Sequence, residues 1–258
     1  MSIIRGVIII LVFLIITLIL IVVQFASLII GRWQEYIPHY YHKFIAKLIG
    51  LDIVRYGSYS SLRPLLIVSN HSSWLDIIVI SSIVRVCFVA KKEVSSWPFF
   101  GLLAKLQRTV FIERSKSKAG IQRDMMLKRL QSGQRLSLFP EGTSSDGKHV
   151  LPFKSSLFSL AEMQPSGNHL SVQPVSIAYT GLDGLPIGIE QRSILTWYGD
   201  VGLLSHIWGV LSAGPSRAEI IFHDPVSLEK FNSRKEMAVY CQKIVANGVS
   251  DANAGRLI

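Results

Sequence analysis

The sequence predicts an α/β fold, with a central, mostly parallel or mixed sheet flanked by helices and an N-terminal pair of membrane helices ahead of it. Three observations predict this. An uncharged apolar run fills Gly6 to Ile30, short β-rich runs alternate with helical stretches afterwards, and polar clusters fall just where several of those runs end. With 258 residues, 49% of them hydrophobic, the chain can bury one sizeable domain and is too apolar for disorder.

The run "GVIIILVFLIITLILIVVQFASLII" exceeds the ~20 residues a bilayer span needs and is longer than the apolar core of a secretory signal, which predicts an uncleaved anchor. Next, "RWQEYIPHYYHKFIAKLIGLDIV" mixes Trp33, Tyr36, Tyr40 and Tyr41 with lysine, ahead of an apolar Phe44, Ile45, Leu48, Ile49 set. Aromatics and lysines beside a greasy helical face belong at the headgroup level, so this stretch carries the second membrane helix, ahead of the domain that begins at residue 51. Residues 1–50 are thus expected to anchor the chain and residues 51–258 to form the domain. In the domain, "LLIVS", "VCFVA", "TVFIE", "RLSLFP", "LSVQPVSIAY" and "AEIIFHDPV" read as strands. Helices are expected in "KAGIQRDMMLKRLQSG", ending at Gly133, and "SRKEMAVYCQKIVANG", ending at Gly248.

Lysine and arginine outnumber acidic residues 27 to 17. Dense basic blocks, zinc-ligand spacing and RNP-like motifs are lacking, so nucleic acid is not the expected partner, and the charge suits membrane lipids and anionic substrates. Arg32, Lys43, Lys47 and Arg55 follow the apolar run against Arg5 before it, which puts the domain on the cytoplasmic side of the membrane. Cys87 and Cys241 form no CxxC pair, and the histidines show no HExxH spacing, so no disulfide framework and no metal site is expected.

The stretch "LLIVSNHSSWLDIIVI", residues 65–80, sets His71 and Asp76 five positions apart. On one helix they would lie roughly 140° apart. They can touch if "LLIVS" is a strand, "NHSS" a turn and "WLDIIVI" the start of a helix. Taken alone, the pair also reads as a surface turn with a capping aspartate. "TVFIERS" likewise ends on Glu113 and Arg114, and "RLSLFPEGTSS" on Glu141, Gly142 and Thr143. Ligands gather at the carboxyl ends of strands in such sheets. A histidine steadied by a carboxylate can take a proton from an alcohol, and an arginine can bind a phosphate through paired charge-assisted hydrogen bonds.

Together these blocks resemble the glycerolipid acyltransferases related to bacterial 1-acylglycerol-3-phosphate acyltransferase. "NHSSWLD" is similar to the NHxxxxD block, "FIERS" to the second and "FPEGT" to the third. "VQPVSIA" around Pro174 resembles the fourth, and "AKKEVSSWPFFG" the segment before block two. The resemblance implies that His71 is the general base and Asp76 its orienting partner. It further implies that Arg114 holds a phosphate, that Glu141, Gly142 and Thr143 belong to the acceptor site, and that Lys92 and Lys154 assist. After "PFK" the family places a glycine where this chain has Ser155 and Ser156. "PFKSSLF" and "WYGD" at 197–200 look closer to the lyso-ornithine lipid acyltransferase branch, whose acceptor carries no phosphate.

Simpler roles exist for some of these residues. Arg114 could pair with Glu113 or Asp124, and Glu141 could cap a helix after "FP". "GTSSDGKH" at 142–149 fails as a nucleotide-binding loop, since His149 stands where the magnesium-binding hydroxyl belongs and Pro152 would disrupt the following helix. A GxSxG elbow is absent. Ser72 and Ser73 read as N-caps, so transfer is expected to be direct, without an acyl-enzyme.

The expected function is a membrane-bound O-acyltransferase of phospholipid biosynthesis in the cell inner membrane. It would move a fatty acyl group from an acyl-CoA or acyl carrier protein thioester to the hydroxyl of a lysolipid, first 1-acylglycerol-3-phosphate and alternatively lyso-ornithine lipid. The thioester is a co-substrate, and no cofactor or metal is expected. A different class, a membrane-tethered protein that binds anionic lipids, would use the same charge and anchor without needing His71.

Overall fold

A 28-residue helix, α1 (Ile3–Ile30), opens the chain, capped by the Ser2 hydroxyl and stopped by Gly31, whose φ of 76° ends the helix in the left-handed region. The computed structural model describes residues 2–113, 118–163 and 169–257. Among the described residues, α1 is the one helix long and apolar enough to cross a membrane. Its burial is largely inverted: Gly6, Thr17, Gln24 and Ser27, with Ile9, face the protein, while Ile4, Val22 and Ile29 stand 69–74% exposed. The second N-terminal helix forms as α2 (Tyr36–Leu48), but its 13 residues, about 20 Å, fall short of a bilayer span. It packs through Ile45, and His39 and His42 tie it to the backbone and hydroxyl of Ser81 on α3 (Leu75–Ile83).

Gly50, at φ 71°, ends the helical path and β1 (Leu51–Tyr56) follows. The remaining strands are β2 (Leu65–Ser69), β3 (Cys87–Lys91), β4 (Val110–Ile112), β5 (Leu136–Leu138), β6 (Ser171–Leu182), β7 (Leu185–Pro186) and β8 (Ser216–Phe222). They form one sheet in the order β1-β8-β6-β2-β5-β3-β4, with β7 against β6. Strands β6, β2, β5, β3 and β4 are parallel; β8 runs antiparallel to β6, and β1 parallel to β8, so the sheet is mixed. Pro174 is tolerated in β6 because it sits where β8 ends: its carbonyl accepts from His223 N, and the ladder begins at Val175.

Both sheet faces are covered, which explains the unbroken apolar run of β2. Leu65 and Ile67 face the core under α1, α2, α3 and α6 (Leu203–Ala213), whereas Leu66 and Val68 face the core under α5 (Ala119–Gln131) and α7 (Arg234–Asn253). The short helix α4 (Phe100–Leu106) joins β3 to β4. Helix α7 does not stop at Gly248 but runs five residues past it. That glycine lets the helix approach β6 and β8, since a Cβ there would collide with Ser176 Oγ and lie 2.9 Å from His223 Nε2. Cys87 and Cys241 are buried free thiols in the second core.

Candidate active site

Residues 70–74 leave the carboxyl end of β2, and nearly every polar backbone or side-chain group in this loop is tied down. Asn70 exchanges two hydrogen bonds with the Ile177 backbone on β6, at 2.8 and 2.9 Å. His71 N donates to Glu141 Oε1 at 2.7 Å, and His71 O accepts from Ser145 N at 2.8 Å. Trp197 N donates to Ser72 O at 2.7 Å, and Trp74 Nε1 donates to His206 Nδ1 at 3.0 Å. The loop is thereby held from four separate segments, a rigid mounting for the one ring it presents.

That ring is the imidazole of His71. Its Nδ1 lies 2.8 Å from Asp76 Oδ2 on the first turn of α3. The same oxygen accepts from Ser72 N at 2.8 Å and Ser73 N at 3.0 Å, and Oδ1 accepts from Tyr179 OH at 2.6 Å. Asp76 is fully buried and fully satisfied. With two N–H groups already donating into Oδ2, the contact to His71 is a third donation, so Nδ1 carries the proton and the Nε2 lone pair is left open. Nε2 has no hydrogen-bond partner among the described residues, and the side chain keeps 20% exposure. Burial, and then the Asp76 charge, hold the Tyr179 phenol well above its usual pKa, so it remains a neutral donor. Phe139 stacks flat on His71, centroids 4.1 Å apart at 16°, and fixes the ring plane.

Glu141 is a clamp. Oε1 takes His71 N, Oε2 takes Leu151 N at 3.0 Å, and the residue is 2% exposed. Burial pushes its carboxyl up to about 8, against the lowering effect of the two N–H donors. The helix it was expected to cap is absent, because turns and loops occupy residues 139–154. Gly142, at φ 67°, takes a conformation favouring glycine, and a Cβ there would meet Lys154 Nζ at 2.7 Å. Its amide donates to Phe139 O at 3.0 Å, so that N–H serves the turn. Thr143 and Lys154 are exposed beside it. Lys92, at the end of β3, donates to Glu113 at 3.2 Å, and Lys118 donates to the same carboxylate at 2.7 Å. Arg114 lies outside the described residues.

An apolar cavity of about 530 Å³ opens beside this loop, among α1, α2, α3, α4 and α6. Trp74 of the loop lines it, with Phe13, Ile45, Leu103 and Ile207. Phe88, also in the wall, stacks on Phe139 at 6.1 Å and 13°, which places the cavity one aromatic ring from His71. The volume falls within the ~300–1,000 Å³ typical of ligand pockets, and the apolar lining suits a hydrocarbon chain.

The family model described as Acyltransferase matches residues 50–178, half of the chain, and takes in His71, Asp76 and Glu141. The chain belongs to the acyltransferase family. It is 40% identical over 228 residues to the lyso-ornithine lipid O-acyltransferase of Rhizobium meliloti, covering 86% of this chain and 78% of that protein. To the 1-acyl-sn-glycerol-3-phosphate acyltransferase of Neisseria gonorrhoeae it is 35% identical over 166 residues, covering 64% and 60%. The crystal structure of the 1-acyl-sn-glycerophosphate acyltransferase of Thermotoga maritima superposes with a TM-score of 0.71 at 24% identity, covering 98% of both chains, a likeness of fold.

In this acyltransferase the sheet brings together His71, Asp76 and Glu141, with Gly142, Thr143 and Lys154 on the adjoining turn. It leaves Lys92 two strands away, on an exposed ion pair. Sequence reasoning missed Tyr179, Phe139, Ser145 and Trp197. Phe139 stood inside the quoted "FPEGT", but nothing local marks a stacking role. The rejected nucleotide loop has a use after all, because its Ser145 holds the His71 carbonyl.

Proposed function

We propose that this acyltransferase transfers a fatty acyl group from a thioester donor to the free hydroxyl of a lysolipid, with lyso-ornithine lipid as the preferred acceptor. The observation that carries the chemistry is His71, oriented by Asp76, with an open Nε2 one aromatic ring from an apolar cavity of about 530 Å³. The acyl chain would occupy the cavity. Nε2 would then accept the hydroxyl proton as the oxygen attacks the thioester carbonyl, and Asp76 would stabilise the imidazolium. The C–S bond breaks and the thiolate leaves, taking the proton back from the imidazolium. Ser72 and Ser73 are 1% and 0% exposed and their amides are committed to Asp76, which favours direct transfer over an acyl-serine.

The acceptor is chosen by likeness. The lyso-ornithine lipid relative matches more of the chain at higher identity than the glycerol-phosphate relative, so the phosphate-bearing acceptor, the first expectation from the motifs, takes second place. Lys154, an exposed cation on the turn next to Glu141, suits the ornithine carboxylate. The exposed apolar face of α1 would lie in lipid and keep the site at the membrane, with the domain on the cytoplasmic side. The test is purified protein with labelled acyl-CoA or acyl carrier protein thioester, offered lyso-ornithine lipid and lysophosphatidate. A kcat/KM at least about tenfold higher for lyso-ornithine lipid is expected, and the reverse order would restore lysophosphatidate.

A further inference from the structure

The sheet edge opposite His71 carries a pattern that the chemistry does not use. Four adjacent parallel strands are each preceded by an arginine, one or two residues before the strand begins: Arg63 before β2, Arg135 before β5, Arg85 before β3 and Arg108 before β4. Neighbouring strands lie ~4.8 Å apart, so these side chains form a row. Glu35 answers Arg108 at 3.6 Å. Among the described residues no carboxylate pairs with Arg63, Arg85 or Arg135. Aromatic faces stand in instead, with Arg85 4.2 Å from the Tyr36 ring centroid and Arg135 5.2 Å from that of Tyr59.

Arg135 decides between a solvated basic face and a site. It is only 9% exposed, and its buried Nε has no partner. A buried guanidinium without an anion is costly, and its neighbours add repulsion. Consistently, burial and then the Arg63 charge lower the Arg135 pKa, while burial lowers that of Arg63, with the Glu35 charge only partly offsetting it and Arg85 adding to the lowering.

We propose that the Arg63–Arg135–Arg85 row binds the phosphate of an anionic lipid headgroup, at a site separate from the catalytic edge. Guanidinium forks match phosphate oxygens, and one phosphate would offset the mutual repulsion of the row. A lipid, rather than a soluble phosphate, is indicated by what surrounds the row. The Glu35–Arg108 pair brings in the end of α1, where Ile29 and Ile30 are 74% and 62% exposed. Exposed Trp33, Tyr36, Tyr59 and Leu62 complete an aromatic and apolar rim of the kind found at headgroup level. The inference rests on α1 lying in lipid but not on the identity of the acceptor.

The test uses full-length protein in detergent micelles doped with phosphatidylcholine or phosphatidylglycerol, reading the midpoint of thermal unfolding. Phosphatidylglycerol is expected to raise the midpoint where phosphatidylcholine does not. In the Arg63→Gln/Arg85→Gln double variant the half-maximal phosphatidylglycerol fraction rises about tenfold or more, while acyl transfer in phosphatidylcholine micelles is unchanged. Arg135→Met is a second variant, and because it alters a buried group the double variant is the deciding one. No phosphatidylglycerol effect, an equal effect in wild type and double variant, or an equal rise with inorganic phosphate alone would overturn the proposal. A chain that stayed monodisperse after detergent withdrawal would instead refute the lipid-embedded α1, a result independent of the lipid titration.

Discussion

Asp76 holds four donors at once, so its variants should separate charge from geometry. Asp76→Asn keeps the shape but loses the charge that supports an imidazolium, and kcat is expected to fall by orders of magnitude with little change in KM; a wild-type pH–rate profile in this variant would disprove the pairing. Tyr179→Phe leaves buried Oδ1 unpaired, which should cost about 1–3 kcal/mol of stability in denaturant titration. Glu141 gives a pH signature. Its folded pKa is raised from 4.5 to about 8, so its contribution is fully present below pH 4.5 and is lost as pH rises through 8. Stability should therefore decline across that window, and Glu141→Gln should flatten the decline; an unchanged slope would contradict the assignment. The histidine and aspartate were legible because strand, turn and helix all lie within 16 residues. Tyr179 was not, since it meets Asp76 from 103 positions away and only the sheet register aligns them.

Among elements, the cavity and the α7 crossing are the sharpest points. Ala104→Trp on α4 adds a large ring to the cavity wall and should shift donor preference toward shorter acyl chains; an unaltered chain-length profile would separate the cavity from the acyl chain. Gly248→Val forces a side chain into Ser176 and His223 and is expected to destabilise by about 1–3 kcal/mol or more, seen as a lowered unfolding midpoint. Glycine ends many helices, which is why Gly248 read as a stop; the close approach of β6 is a tertiary fact that local spacing does not carry. The same holds for β1. Its residues lie outside the quoted β-rich runs, because their extended path follows from the positive φ at Gly50 and from pairing with a strand 165 residues later, neither of which local spacing carries. The six quoted β-rich runs were legible because burial on one or both faces leaves an apolar mark in each.

At the scale of the whole molecule, α1 puts mainly small and polar residues against the protein, Ile9 excepted, and most of its leucine, isoleucine and valine outside. Full-length protein should remain in membranes through high-salt and carbonate washing, because salt screens charge but leaves apolar burial intact; release by salt alone would refute the lipid-embedded helix. The account as a whole depends on one proton transfer at His71. Its most direct test is the initial rate of acyl transfer to lyso-ornithine lipid by His71→Ala beside wild type, with the unfolding midpoint of both recorded. A fall on the order of 10²–10⁴-fold at an unchanged midpoint is the predicted result, and a variant that keeps turnover within a few-fold of wild type would contradict it.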